Sequence, residues 1–190
     1  MMEKITFKRL EKSEYADFAK ETKEIFSIAV AEPFGETLEN DNNIESSLEN
    51  PELEVFSVYS GDEKVGGVAV KQDEENQCHW LELFYICPDK HGKGLGLRII
   101  LGLEDLYPEA KVWRLITPYF EKRNIHFYVN KCGFKIVEFF NKYHKDPNSA
   151  SNVPEFQEEY FIFEKRKNVI VAYYKACKHH FHRSHTGRKA

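Results

Sequence analysis

The 190-residue chain contains no uncharged run longer than the eight residues Pro147 to Pro154, and a membrane-spanning helix needs about 20 apolar residues. A helical membrane protein is excluded, and no membrane partner is expected. The first fifteen residues, MMEKITFKRLEKSEY, carry charge throughout and lack an apolar core and a small-residue cleavage site. Nothing in them argues for export, so the cytoplasm is the expected compartment. Cysteine is sparse: Cys78, Cys87, Cys132 and Cys177 lie far apart, with no CxxC pair. In a chain of this length they read as free thiols rather than as a disulfide framework.

What is present is ordinary for a globular protein: 42% hydrophobic, 31% charged and 14% aromatic residues. That composition excludes an intrinsically disordered chain. The length suits one domain that buries roughly 70% of the surface it exposes when unfolded. Charge is uneven. Residues 1–100 carry 21 acids and 11 bases, whereas residues 101–190 carry 10 acids and 16 bases. Glu32, Glu36, Glu39, Asp41, Glu45 and Glu49 form a stretch without Lys or Arg; it is either a solvated connection or a loop that attracts a cationic small molecule. Lys165 to Ala190 hold eight bases and no acid. The aromatic and glycine spacing of a nucleic-acid module is missing there, so no nucleic-acid partner is expected.

Patterning predicts a strand at 5–10, a helix at about 14–30 with Ser13 and Asp17 in its cap region, and a short helix near 43–49. Strands at 54–60, 63–71 and 77–87 form an antiparallel meander, turned by Gly61-Asp62 and by Asp73 to Asn76. A helix at 95–106 is stopped by Pro108, and a strand at 111–118 follows. A helix from 122 or 123 to Cys132 is ended by Gly133, and strands at 134–140 and 159–165 close the chain. The expected fold is α/β, mixed α and β in one layered domain over residues 1–166. Residues 167–190 form a basic extension.

The strongest local signal is Leu81-Glu82-Leu83-Phe84-Tyr85-Ile86-Cys87-Pro88, followed by His91-Gly92-Lys93-Gly94-Leu95-Gly96 at a helix start. Glycines there let backbone N–H groups approach phosphate oxygens at the positive end of the helix. A plain tight turn is the alternative. A P-loop is excluded because Leu97 and Arg98 follow Gly96 and supply no hydroxyl for magnesium. A dinucleotide fold is excluded by the preceding antiparallel meander.

These residues resemble the GNAT superfamily of acyl-CoA-dependent N-acetyltransferases, whose signature is Arg or Gln, two residues, Gly, one residue, Gly or Ala. Here the matching positions are His91, Gly94 and Gly96, with Gly92 as an extra glycine. Asn124, Phe127-Tyr128 and Gly133-Phe134 resemble that family's last conserved helix and strand. Two departures stand out. His91 replaces Arg or Gln, and Tyr128 lies five residues before Gly133 where four is usual.

The resemblance implies a central, mostly antiparallel sheet of about seven strands, with a splayed parallel pair at the cofactor site. It implies acetyl-CoA as cosubstrate, no metal, and transfer of an acetyl group to a primary amine. The loop from His91 through Lys93 and Leu95 to Gly96 would hold the pyrophosphate. Backbone N–H groups near Tyr85, Ile86 and Cys87 would bind the thioester carbonyl, unless they merely end a strand. Tyr128 would protonate the departing thiolate, or else pack as a core tyrosine. Glu82 would be the base, its pKa raised by burial, or an outward-facing strand residue. Asn124 would bond the pantetheine arm or cap its helix. A small, cationic amine is the expected acceptor. A peptide or protein amine, or a CoA-binding module without catalysis, is the alternative. Cys177, His179, His180, His182 and His185 match no zinc spacing, and the apolar stretch Asn168 to Tyr174 is open to an added helix or a homodimer contact.

Overall fold

The computed structural model describes residues 3–34, 43–147 and 159–167, with the side chains of 29–34 and 43 excepted. Glu36, Glu39, Asp41 and the extension from 168 onward, with Cys177 and its histidines, lie outside the described residues, as does the side chain of Glu32.

Strands β1 (Ile5–Arg9), β2 (Leu53–Ser60), β3 (Glu63–Lys71) and β4 (Cys78–Ile86) pair antiparallel in chain order. Gly61 at φ 62° supplies the left-handed residue of the tight β2–β3 turn. Asp73 turns the chain before β4 by accepting the Asn76 amide at 3.0 Å. Beyond β4 come β5 (Val112–Pro118), β6 (Lys135–Phe140) and β7 (Tyr160–Arg166). The seven-stranded sheet runs β1-β2-β3-β4-β5-β7-β6, and the β4–β5 pair alone is parallel.

Helix α1 (Tyr15–Phe34) and the short α2 (Asn43–Leu48) cover one face; α3 (Leu95–Leu106) and α4 (Lys122–His126) cover the other. The cap before α1 differs from the expectation at Ser13. Glu14 reaches back to the Glu11 amide at 3.0 Å, closing a 3-10 turn over Lys12–Glu14. At the end of α3, the Lys167 ammonium donates to the carbonyls of Glu104 and Pro108 at 2.9 and 3.2 Å, where a cation offsets the negative end of the helix.

The larger core joins Val58, Val68, Ile99, Leu103, Leu115 and Phe163 between the sheet and α3. Each is essentially solvent-free, so truncating Leu103 to Ala would cost about 2–5 kcal/mol. A second core under α1 and α2 contains Phe18, Leu48, Val55, Ala69 and Tyr85. Strand β4 feeds both. Ala69 of β3 faces Leu83 while Val70 faces Leu81, which leaves Glu82 as an extra residue on β4. This bulge reverses the alternation of the strand. Leu81 packs toward α3, Leu83 and Tyr85 toward α1 and α2, and Phe84 and Ile86 again toward α3.

Candidate active site

The parallel pair β4–β5 is joined only at Cys78 with Val112, His79 with Trp113 and Trp80 with Arg114. From there β5 continues against β7 as far as Pro118, and β4 continues against β3 as far as Ile86. A wedge therefore opens between the C-terminal halves of β4 and β5. Cys87 donates its N–H to the Val65 carbonyl of β3 at 2.9 Å. By the alternation of an antiparallel ladder, Ile86 turns its own amide to the other edge of β4, into the wedge. The expectation of a free donor at Cys87 is corrected here: its amide belongs to the sheet. Tyr85 shares that outcome by the same alternation, and Ile86 is the residue whose backbone faces the opening.

After a 3-10 turn over Pro88–Lys90, the chain passes through His91 to Gly94 and into α3. Gly92 and Gly94 adopt φ 77° and 70°, and a Cβ at either would meet nothing within 4 Å. The loop is thus an exposed, left-handed cradle of backbone opening onto the N-terminus of a twelve-residue helix. His91 does not face the cradle. Its Nε2 lies 2.9 Å from the Ile86 carbonyl, and a guanidinium nitrogen of Arg123 lies 2.7 Å from its Nδ1. A carbonyl only accepts and a guanidinium only donates, so the ring is the neutral tautomer with its proton on Nε2.

Helix α4 changes pitch after one turn. Residues Phe127–Cys132 form a π turn, closed by Gly133 at φ 78°, whose N–H bonds to the Tyr128 carbonyl. A π turn takes up one residue more than an α turn. The extra residue between Tyr128 and Gly133 is absorbed in this way. Tyr128 is 7% exposed, its ring 5.2 Å from Phe127 and 5.8 Å from both Phe134 and Phe163. Burial, with smaller contributions from Cys132 and Glu121, pushes its hydroxyl pKa far upward. The phenol keeps its proton across the physiological range. Asn124 is exposed on the first turn of α4.

On the opposite face of the sheet, Glu82 opens onto a cavity of about 790 Å³ between β3, β4 and α2, lined also by Lys71, Leu83, Ser47, Glu49 and Asn50. Glu82 is an exposed, outward-facing residue of β4 rather than a buried one; the protein around it still raises its pKa, and Lys71 opposes that rise. Lys71 itself pairs with Glu52 at 3.2 Å. Nearby, the Tyr85 hydroxyl donates to Glu21 of α1 at 2.7 Å, and Lys64 pairs with the same carboxylate oxygen. This Tyr85–Glu21–Lys64 group ties α1 to the end of β4.

The predicted loop residues and Tyr85 to Cys87 thus meet at one end of β4. Glu82 and Tyr128 stand on opposite faces of the sheet. Sequence reasoning missed Arg123 and Lys71. Arg123 lies four residues before Phe127, the spacing that puts two side chains on one helical face; nothing in the sequence marks Lys71. Among the described residues, no group of three His, Cys, Asp or Glu is placed to hold a metal ion, and no helix is long and apolar enough to cross a membrane.

The chain is 39% identical over 153 residues to the uncharacterized protein YrkN of Bacillus subtilis (strain 168), a match covering 78% of this chain and 83% of that protein. An acetyltransferase from Thermus thermophilus superposes with a TM-score of 0.63 at 16% identity, over 88% of this chain and 100% of that one. A spermidine N-acetyltransferase from Vibrio cholerae, in complex with CoA and spermine, superposes with a TM-score of 0.62 at 13% identity, over 86% and 95%. A Bacillus subtilis acetyltransferase in complex with CoA gives 0.59 at 15% identity, over 87% and 99%. At such identities the solved structures speak for the fold alone. The model of the acetyltransferase (GNAT) family matches residues 15–134, and with the splayed β4–β5 pair and the loop before α3 in place, the chain belongs to that family.

Proposed function

We propose that the protein transfers the acetyl group of acetyl-CoA to a primary amine of a small, cationic molecule. The observation that carries this reading is the wedge between β4 and β5, with the Ile86 amide facing into it and the Gly92–Gly94 cradle at its end. The open cradle fits a pyrophosphate, which backbone N–H groups and the α3 dipole would hold. The Ile86 N–H would stabilise the oxyanion that forms when the amine nitrogen attacks the thioester carbon.

The C–N bond forms first, giving that tetrahedral oxyanion, and its collapse restores the carbonyl and breaks the C–S bond. The ammonium proton leaves toward Glu82, directly or through water, and the thiolate takes a proton from a donor. Tyr128 is the proposed donor, because its raised pKa keeps the hydroxyl protonated. Asn124 would bond the pantetheine arm. The carboxylates of Glu49 and Glu82 on the cavity wall favour a cationic acceptor.

Calorimetric titration with CoA, followed by a screen of amines read as free-thiol release from acetyl-CoA, tests the reading. Saturable CoA binding and turnover on polyamine-like or aminoglycoside-like amines are expected. CoA binding without turnover on any amine overturns the enzyme in favour of a binding module.

A further inference from the structure

The cradle lies among four cations whose partners differ. Lys90 is held by Glu63 at 2.5 Å and by Asp89 at 2.7 Å. Arg98 is engaged by the Glu3 carbonyl. Lys93 is exposed on the loop, 3.5 Å from the Asp89 carbonyl. Arg123 is different: among the described residues its guanidinium bonds a neutral imidazole and no carboxylate. Its full positive charge is retained, and its position is fixed.

Two contacts do the fixing, one helical turn apart on α4. The Phe127 ring sits against Gly96, so close that a Cβ there would be 2.8 Å from it. Arg123, four residues earlier and on the same face, meets His91 at 2.7 Å. His91 in turn donates to the Ile86 carbonyl. The imidazole is therefore a strut between the end of β4 and α4, and the guanidinium is held at the first residue of the cradle.

Resting on the reading of the loop as a phosphate cradle, we propose that Arg123 is the side-chain cation that binds the pyrophosphate of acetyl-CoA, and that His91 is its positioning residue. A guanidinium keeps further N–H donors after bonding His91, and two of them match phosphate oxygens in a fork. His91, neutral and turned away, contributes to binding through Arg123.

The test is calorimetric titration of the full chain with CoA and with dephospho-CoA, together with the KM for acetyl-CoA. R123Q should weaken CoA about tenfold or more, as expected for the loss of a charged hydrogen bond. The loss should fall on KM, should be equal for dephospho-CoA, and should shrink between about 0.05 and 0.5 M salt as screening grows. R123K should fall between the two proteins. H91A should weaken binding about three- to tenfold, and R123Q with H91A should be no weaker than R123Q alone within about twofold, the non-additivity of a coupled pair.

Folded R123Q with wild-type affinity overturns the proposal. A loss confined to CoA and absent with dephospho-CoA also overturns it, by moving Arg123 to the 3′-phosphate. Additive losses overturn the positioning role of His91. A wild-type protein that binds neither form overturns the reading of the loop itself, an outcome distinct from all of these.

Discussion

Gly96 and Phe127 are in direct register: the ring of one occupies the space that a side chain on the other would fill, with Cζ 2.8 Å and Cε2 3.0 Å from an ideal Cβ. Helix α4 rests on the start of α3 through this contact. Gly96→Ala should push the ring and α4 away, lower thermal stability and weaken CoA binding together. Gly94→Ala should act differently. Its Cβ meets nothing, so the cost is the left-handed backbone, about 1 kcal/mol, plus a methyl group in the cradle. Thermal melts with and without CoA separate the two: ligand should restore little stability to the Gly94 variant because it binds poorly. Equal ligand-induced shifts in both variants and wild type would place the phosphates elsewhere.

Tyr128→Phe keeps every ring contact to Phe127, Phe134 and Phe163 and removes one hydroxyl. The variant should fold and bind CoA as the wild type does. Single-turnover acetyl transfer should slow at least tenfold if the phenol protonates the thiolate. An unchanged single-turnover rate would make Tyr128 a packing residue of the core.

Glu82, although exposed at the cavity mouth, carries a pKa raised above its ordinary 4.5, first by desolvation from the protein around it. Ionising it therefore costs the folded state more than the unfolded one. Its contribution to stability is complete below the unfolded pKa and is lost as pH rises through the folded pKa. Glu82→Gln should melt with the wild type at about pH 4 and above it at about pH 7. As the base, the same residue should give kcat/KM an acid limb above 4.5, and the Gln variant should lack that limb. A limb that survives the substitution assigns the base elsewhere.

Glu49 faces the cavity beside Glu82. Glu49→Gln should raise KM for a cationic amine severalfold and leave a matched neutral amine little changed. The difference between the two acceptors should narrow at about 0.5 M salt, where the Debye length is short. The same change in KM for both acceptors would leave Glu49 as a solvated surface charge.

Boundaries of strands and helices were legible because glycine and proline mark them: Gly61, Pro88, Pro108 and Gly133 each fall where an element turns or stops. The bulge was not. Leu81-Glu82-Leu83 reads as clean alternation, two apolar residues on one face with an acid between, yet the extra residue puts the two leucines in different cores. The π turn did leave a trace, the one-residue excess between Tyr128 and Gly133. Which amides face the wedge depends on the pairing of β4 with β3, a long-range register that no local pattern encodes. For that reason Cys87 was expected among the donors. Arg123 was hidden for a related reason: its neighbour His91 lies thirty-two residues away in sequence.

Three residue pairs hold β4 to β5, whereas seven hold β5 to β7. Mechanically the sheet is two blades, β1 to β4 and β5 to β7, riveted at one corner near Trp80 and Arg114. Shear between the blades should concentrate at that rivet, and the amides of Phe84 and Ile86, though central in the molecule, should exchange with solvent faster than those of Val55 or Val68. Pulling the chain apart from its ends should break the corner first and leave each blade folded for longer, so the line of weakness in this protein runs through its proposed site of chemistry.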